Sequence, residues 1–266
     1  MIYRILRYVI AILVGTAAYV GMDSLAPIID PYLVSQFESF GDMSLTIARI
    51  SVLIFGTLLG KKRPEFFEVI KGRKSVKYFD PNVKIKREEI IEMLNEANLA
   101  PSSCNFQPWR YIVVDTPEGK EKLANANYNL TQNETSAAMI IILGDLNYFD
   151  KFDTIYNEEV KQGHMTEEIK ESFKQGMGKM VESLPQDIKR ELVYFDCGIW
   201  TMQFSNISHA KGYDTNIIGG FKRDKVSELF DLDKNLVPVM LIALGKKERD
   251  GRPSTRMSAK DLVRFE

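Results

Sequence analysis

Four short stretches hold the side chains that could do chemistry. In "GRKSVKYF", residues 72–79, Arg73, Lys74, Ser75 and Lys77 set three cations and a hydroxyl within five positions. A guanidinium fork and lysine point charges match phosphate oxygens. The same spacing also fits a solvated basic turn after a helix. In "APSSCNFQPWRYIVV", residues 100–114, the loop from Pro101 carries Ser102, Ser103, Asn105 and Gln107 ahead of Pro108. Such groups can hydrogen-bond the edge of a planar polar ligand, and they equally suit ordinary turn chemistry. In "NIIGGF", residues 216–221, Ile218 ends a strand and Gly219 and Gly220 follow it. Paired glycines let backbone N–H groups approach a ligand, or simply make a turn. In "STR", residues 254–256, Arg256 adds a cation on a polar tail.

Several chemistries lack their signatures. Cys104 and Cys197 have no CxxC or zinc spacing, so neither a disulfide framework nor a metal site is expected, and a reducing compartment fits. His164 and His209 have no ligand partners at metal spacing. There is no GxGxxG, GxSxG, HExxH or P-loop. A formal net charge of −1 over 266 residues gives no sign of nucleic-acid binding.

These stretches need elements to position them. From Pro64 the pattern is a water-soluble α/β mixture. "EFFEVIK" reads as a helix opened by Pro64 and closed by Gly72. "REEIIEMLNEANLA" places Ile90, Ile91, Leu94 and Ala97 on one helical face. A strand over 109–115 follows the polar loop, and Thr116 and Pro117 then start a short helix. The apolar run 137–144 reads as a central strand covered on both faces. Residues 166–184 form an amphipathic helix through Ile169, Phe173, Met177, Met180 and Leu184, and 186–211 form a core helix stopped by Gly212. "YDTNIIGG" and "LVPVMLIALG" are two further strands, with helical "DKVSELFDL" between them. Phe149, Phe152, Tyr156 and Phe173 could stack on an aromatic ligand or simply pack helices.

The first 63 residues are of another kind. Residues 8–22 carry no charge, and residues 43–60 carry only Arg49. Arg4 and Arg7 precede the first segment, Lys61, Lys62 and Arg63 follow the second, and the stretch between is acidic. The positive-inside rule then predicts a membrane hairpin over residues 1–63 with both ends cytoplasmic. Two amphipathic helices packed on the domain or lying on the membrane surface are the alternative, and Arg49 favours it. Residues 1–63 and 64–266 are thus two domains, the second held in the cytoplasm at the membrane.

Taken in order, "RKSVKYF", "APSSCNFQPWRYIVV", "IIGGF" and the Arg256 tail resemble the nitroreductase family of FMN-dependent oxidoreductases, over about residues 65–266. The resemblance implies an α+β fold: a central, mostly antiparallel sheet flanked by helices, in an intertwined homodimer with an FMN at each subunit interface. It implies that Arg73, Lys74, Ser75 and Lys77 meet the FMN phosphate, ribityl chain and pyrimidine edge, with Lys77 supporting negative charge on the reduced ring. Pro101, Ser102, Ser103, Asn105 and Gln107 would come from the other subunit. Asn129 would reach the ring, Ile218, Gly219 and Gly220 would line its N5 side, and Arg256 would close on the phosphate. Some members carry Glu where Gly219 stands and Lys where Ser254 stands, which bears on substrate seating and phosphate grip. The implied activity passes a hydride from NADH or NADPH through flavin N5 to a nitroaromatic or quinone acceptor, in ping-pong order, with no protein acid or base. Two alternatives share the pattern: a reductive dehalogenase on the same fold, and a non-catalytic, membrane-attached flavin-binding protein.

Overall fold

The structure is a computed structural model that describes residues 65–266; the expected hairpin and Pro64 lie outside the described residues. Four strands form one antiparallel sheet in the order β1-β2-β4-β3. β1 is Trp109–Val114, β2 Ala138–Asp145, β3 Asp214–Ile218 and β4 Leu236–Gly245. The middle strands are near-continuous apolar runs because both of their faces are covered. All eight residues of β2 are buried. The β2–β4 register shifts between Ile142 and Leu143, opposite Pro238. Proline cannot donate to the ladder, so the strand bulges there.

Residues alternate between two apolar layers, as the two-residue period of a strand requires. Ile140, Ile142, Ile242 and Leu244 face α2 (Arg87–Ala97) and the 25-residue α7 (Gln186–Ala210). Met139, Ile141, Leu241 and Ala243 face α3 (Pro117–Ala124) and α8 (Arg223–Leu229), where Leu123 and Val226 complete the layer. Gly144 lies where α7 crosses the sheet, and a β-carbon there would collide with Val193. Trp200 of α7 is fully buried, stacks on Tyr111 and Phe204, and donates from Nε1 to Asn98 Oδ1 at 2.9 Å.

Helix ends follow their capping residues. Glu65 and Glu68 make a reciprocal capping box at the start of α1 (Phe66–Gly72). Thr116 accepts from the Gly119 N–H ahead of α3, with Pro117 in its first turn. Thr166 accepts from the Ile169 N–H ahead of α6 (Glu167–Ser183). Gly212, at φ 81°, follows the end of α7.

Two expectations are corrected. In α2 the buried stripe is Ile90, Met93, Leu94 and Ala97, while Ile91 is exposed. An apolar stripe about 100° wide admits steps of three and four but not the neighbour at plus one. In α6, Met177 and Val181 are buried, whereas Ile169 and Met180 are exposed. Two short helices went unread, α4 (Leu130–Thr135) and α5 (Phe152–Lys161). Lastly, Phe152 and Tyr156 are buried and stacked on each other at 4.3 Å, with Phe149, Phe173 and Phe106 around them. Phe152 and Tyr156 thus pack helices, while Phe173 is half-buried and also lines a surface cavity with Ile169 and Met177.

Candidate functional site

One edge of the sheet gathers most of the polar stretches. Residues 73–79 run beside β3: Ser75 bridges Thr215, the Val76 N–H donates to the Thr215 carbonyl at 3.1 Å, and Asn216 Nδ2 donates to the Val76 carbonyl at 3.0 Å. Val76 and Phe79 are buried and pull this segment onto the sheet, which leaves Lys74, Ser75 and Lys77 exposed and Arg73 half-buried. On the other side the chain returns after β4. The Glu248 N–H donates to the Tyr78 carbonyl, and Arg249 lies over the Tyr78 ring. A β-carbon on Gly251 would come within 2.7 Å of the Ser75 carbonyl oxygen, so only glycine allows that approach.

Gly219 and Gly220 leave the end of β3 exposed, and a β-carbon built on either would meet nothing within 4 Å. Ile218 before them is buried. Asn129 sits against this turn: its Nδ2 donates to the Gly220 carbonyl at 3.5 Å and its N–H to Asn127 Oδ1 at 2.9 Å. The chain pairing that holds it there is the Asn127–Phe221 bridge and the Lys222 N–H to the Ala126 carbonyl. Gln132 Nε2 donates to Asn129 Oδ1 at 3.4 Å. Asn127 and Gln132, both buried, belong to this cluster and escaped the sequence reading. The amide-dense run "NANYNLTQN", residues 125–133, was the available signal. Asn127 Nδ2 is buried with no acceptor among the described residues, and a buried donor left so is costly.

The charge on this edge is unbalanced. Among the described residues Arg73, Lys74 and Lys77 make no ion pair. Lys247 pairs with Asp250, and that contact, with a smaller contribution from Lys74, holds the Asp250 carboxyl below its ordinary range. His209, at the end of α7, lies against Gly72. Burial pushes its imidazole down, the positive charges of Lys247 and Arg73 add to that, and Asp214 opposes them.

The polar loop occupies the opposite edge. It precedes β1, which lies three strand spacings, roughly 14 Å, from β3. Its backbone is strained: Cys104, Asn105 and Gln107 have φ of 48°, 51° and 48°. The left-handed region costs a non-glycine residue about 1–2 kcal/mol. Ser102 Oγ accepts from the Gln107 N–H at 3.0 Å, Gln107 Nε2 donates to Asn105 Oδ1 at 3.1 Å, and Tyr156 donates to the Cys104 carbonyl at 2.6 Å. Pro101 and Asn105 are exposed, and Ser102, Ser103 and Gln107 are half-buried. Arg256 lies on the tail from Arg252 onward, which is exposed throughout, and its Nη1 donates to the neighbouring Thr255 carbonyl. Within one chain, then, Arg73, Lys74, Ser75, Lys77, Asn129, Ile218, Gly219 and Gly220 share an edge, while Pro101–Gln107 lies at the opposite one.

Comparisons with known proteins show the family of the chain. The sequence model of the nitroreductase family matches residues 70–246. YdgI of Bacillus subtilis (strain 168), provisionally named an NAD(P)H nitroreductase, is 44% identical over 198 residues, covering 74% of this chain and 95% of the relative. The CLA biosynthesis enone reductase of Lactiplantibacillus plantarum is 35% identical over 201 residues, covering 74% and 93%. A crystal structure from Exiguobacterium sibiricum 255-15, provisionally titled a nitroreductase and solved in complex with FMN, superposes with a TM-score of 0.75 at 39% identity, covering 77% of this chain and 99% of that one. With its four-stranded antiparallel sheet set among helices, the chain belongs to the nitroreductase family of oxidoreductases.

Proposed function

We propose that this chain is an FMN-dependent oxidoreductase that uses NADH or NADPH as reductant. The observation that carries the reading is a single sheet edge with unpaired cations at one end and an open glycine turn at the other. The residues fit the cofactor. Arg73 and Lys74 offer a fork and a point charge to a phosphate. The space beside Gly219 and Gly220 admits a flat ring against backbone amides, and Asn127, Asn129 and Gln132 supply amides for its polar edge.

When bound, FMN supplies the redox chemistry, moving two electrons from the nicotinamide to a nitroaromatic or quinone acceptor in two half-reactions. This chain binds and orients. Lys77 would place a positive charge at the edge of the bound ring. Ser75 would hydrogen-bond the ribityl chain, buried Ile218 would back the glycine turn, and Arg256 would complete the phosphate grip. The Pro101–Gln107 loop reaches the flavin from a second copy, which requires a homodimer.

Purified protein should be yellow, and anaerobic NADPH, or NADH as the control reductant, should bleach it. Colourless protein that takes up no added FMN would end the reading. The enone reductase relative favours a second acceptor class, α,β-unsaturated ketones. Turnover of an enone against a quinone by the reduced protein separates the two. Residues 1–63 would hold the enzyme at a membrane, its catalytic domain in the cytoplasm, where a lipid-soluble quinone is available. Unchanged turnover of bilayer-embedded quinone after their deletion would remove that part.

A further inference from the structure

Asp196 of α7 is a buried carboxylate, 3% exposed, that the chemistry above does not use. Its oxygens accept from a single residue: the Ser103 N–H at 3.1 Å to each oxygen and Ser103 Oγ at 3.2 Å. Among the described residues it has no cationic partner. Asp196 lines a small, mostly apolar cavity together with Pro108, Tyr148, Met177 and Val193. Burial pushes its carboxyl up from the ordinary value, and the Ser103 hydrogen bonds only oppose that. A lone buried charge lowers stability, so the contribution of Asp196 to the fold as such is unfavourable. Its contacts all go to the first residue of a turn whose next residues, Cys104 and Asn105, are both left-handed.

We propose that Asp196 is a positioning residue for flavin binding: by drawing the Ser103 backbone inward it holds the Ser102–Gln107 loop in the strained shape that presents Asn105 and Gln107 outward. Tyr156 of α5 holds the following carbonyl, at Cys104, from the other side. The loop is therefore clamped between α7 and α5 before any ligand arrives, and ordering it costs nothing at the moment of binding. The inference rests on the flavin reading.

The test compares the full-length wild type with Asp196→Leu and Asp196→Asn. FMN affinity is read by fluorescence titration of the apoprotein, ring environment by visible circular dichroism of the complex, and fold by the thermal midpoint of the apoprotein. Leu removes the acceptor along with the charge; its midpoint should equal or exceed that of wild type while FMN affinity falls about tenfold or more, with an altered dichroism spectrum. Asn keeps an acceptor for Ser103 and should bind within about threefold of wild type. Leu binding within about twofold with an unchanged spectrum overturns the proposal, as does a loss of affinity that only tracks a lowered midpoint. If the Leu variant does not fold, amide exchange in wild-type apoprotein decides. Strong protection at Ser103 supports the clamp, and exchange at the rate of a free loop overturns it. Wild-type apoprotein that takes up no FMN would instead refute the flavin reading, a separate result from equal uptake by both proteins.

Discussion

Arg73, Lys74 and Lys77 stand within a few residues of one another, and among the described residues none of them makes an ion pair. Like charges so placed repel, and an anion relieves the repulsion. Charge-assisted hydrogen bonds contribute about 1.5–3 kcal/mol each. The Arg73→Ala, Lys74→Ala double variant should therefore bind FMN more weakly by about a hundredfold or more, with a thermal midpoint for the apoprotein no lower than that of wild type, since both side chains point to solvent or its margin. Affinity within twofold of wild type would remove the phosphate assignment. His209 supplies a pH dependence beside the same segment. A helix C-terminus favours a protonated imidazole, but here burial prevails and the folded pKa lies below the ordinary value near 6.5. The unfolded chain then takes up a proton that the folded one refuses, so stability falls as pH drops below about 6.5 and levels off below the folded value. Thermal midpoints measured from pH 7 to pH 5 should fall less steeply in His209→Gln than in wild type.

At the scale of elements, the sheet and the two long helices do the positioning. Trp200 ties α7 to β1 and α2 through Tyr111 and Asn98. Trp200→Ala should cost about 3–5 kcal/mol, read as a lower denaturant midpoint with the slope unchanged. These elements were legible where one physical rule dominated. β2 announced itself as an unbroken apolar run, α3 by Thr116 and Pro117, and α6 by apolar residues at steps of three and four. The errors arose where a rule was too coarse. Ile91 fits an apolar count but not a stripe of helical width. α4 is six residues, polar after Leu130, shorter than any periodicity can register. The cover aromatics could not be assigned from sequence, because Phe152 facing Tyr156 and Phe152 facing a ligand give the same pattern. The site was legible only in pieces. Arg73, Asn129 and Gly219 are far apart in the chain, and β3 with the 126–129 pairing is what joins them. Asp196 left no signal at all, since a single acid inside a core helix reads as a solvated position.

For the whole molecule, the proposed site needs two copies of the chain. The glycine turn and the Pro101–Gln107 loop stand on opposite sheet edges. Phe66 and Phe67 of α1, Phe195 and Met202 of α7, and Leu262 and Phe265 of the tail are exposed. Large exposed apolar groups on neighbouring turns suit a subunit interface. Phe195→Asp should shift the protein from dimer to monomer in light scattering, and FMN affinity should fall about tenfold or more with it because the loop then has no site to complete. A monomer that binds FMN as wild type does would show that one chain suffices. The most direct measurement of the central claim is a crystal structure of the protein grown with excess FMN. The account predicts a phosphate against Arg73 and Lys74, the ring beside Gly219 and Gly220, and the Pro101–Gln107 loop of a second copy closing over it. A groove on that edge left empty, or filled by the chain's own side chains, would contradict it.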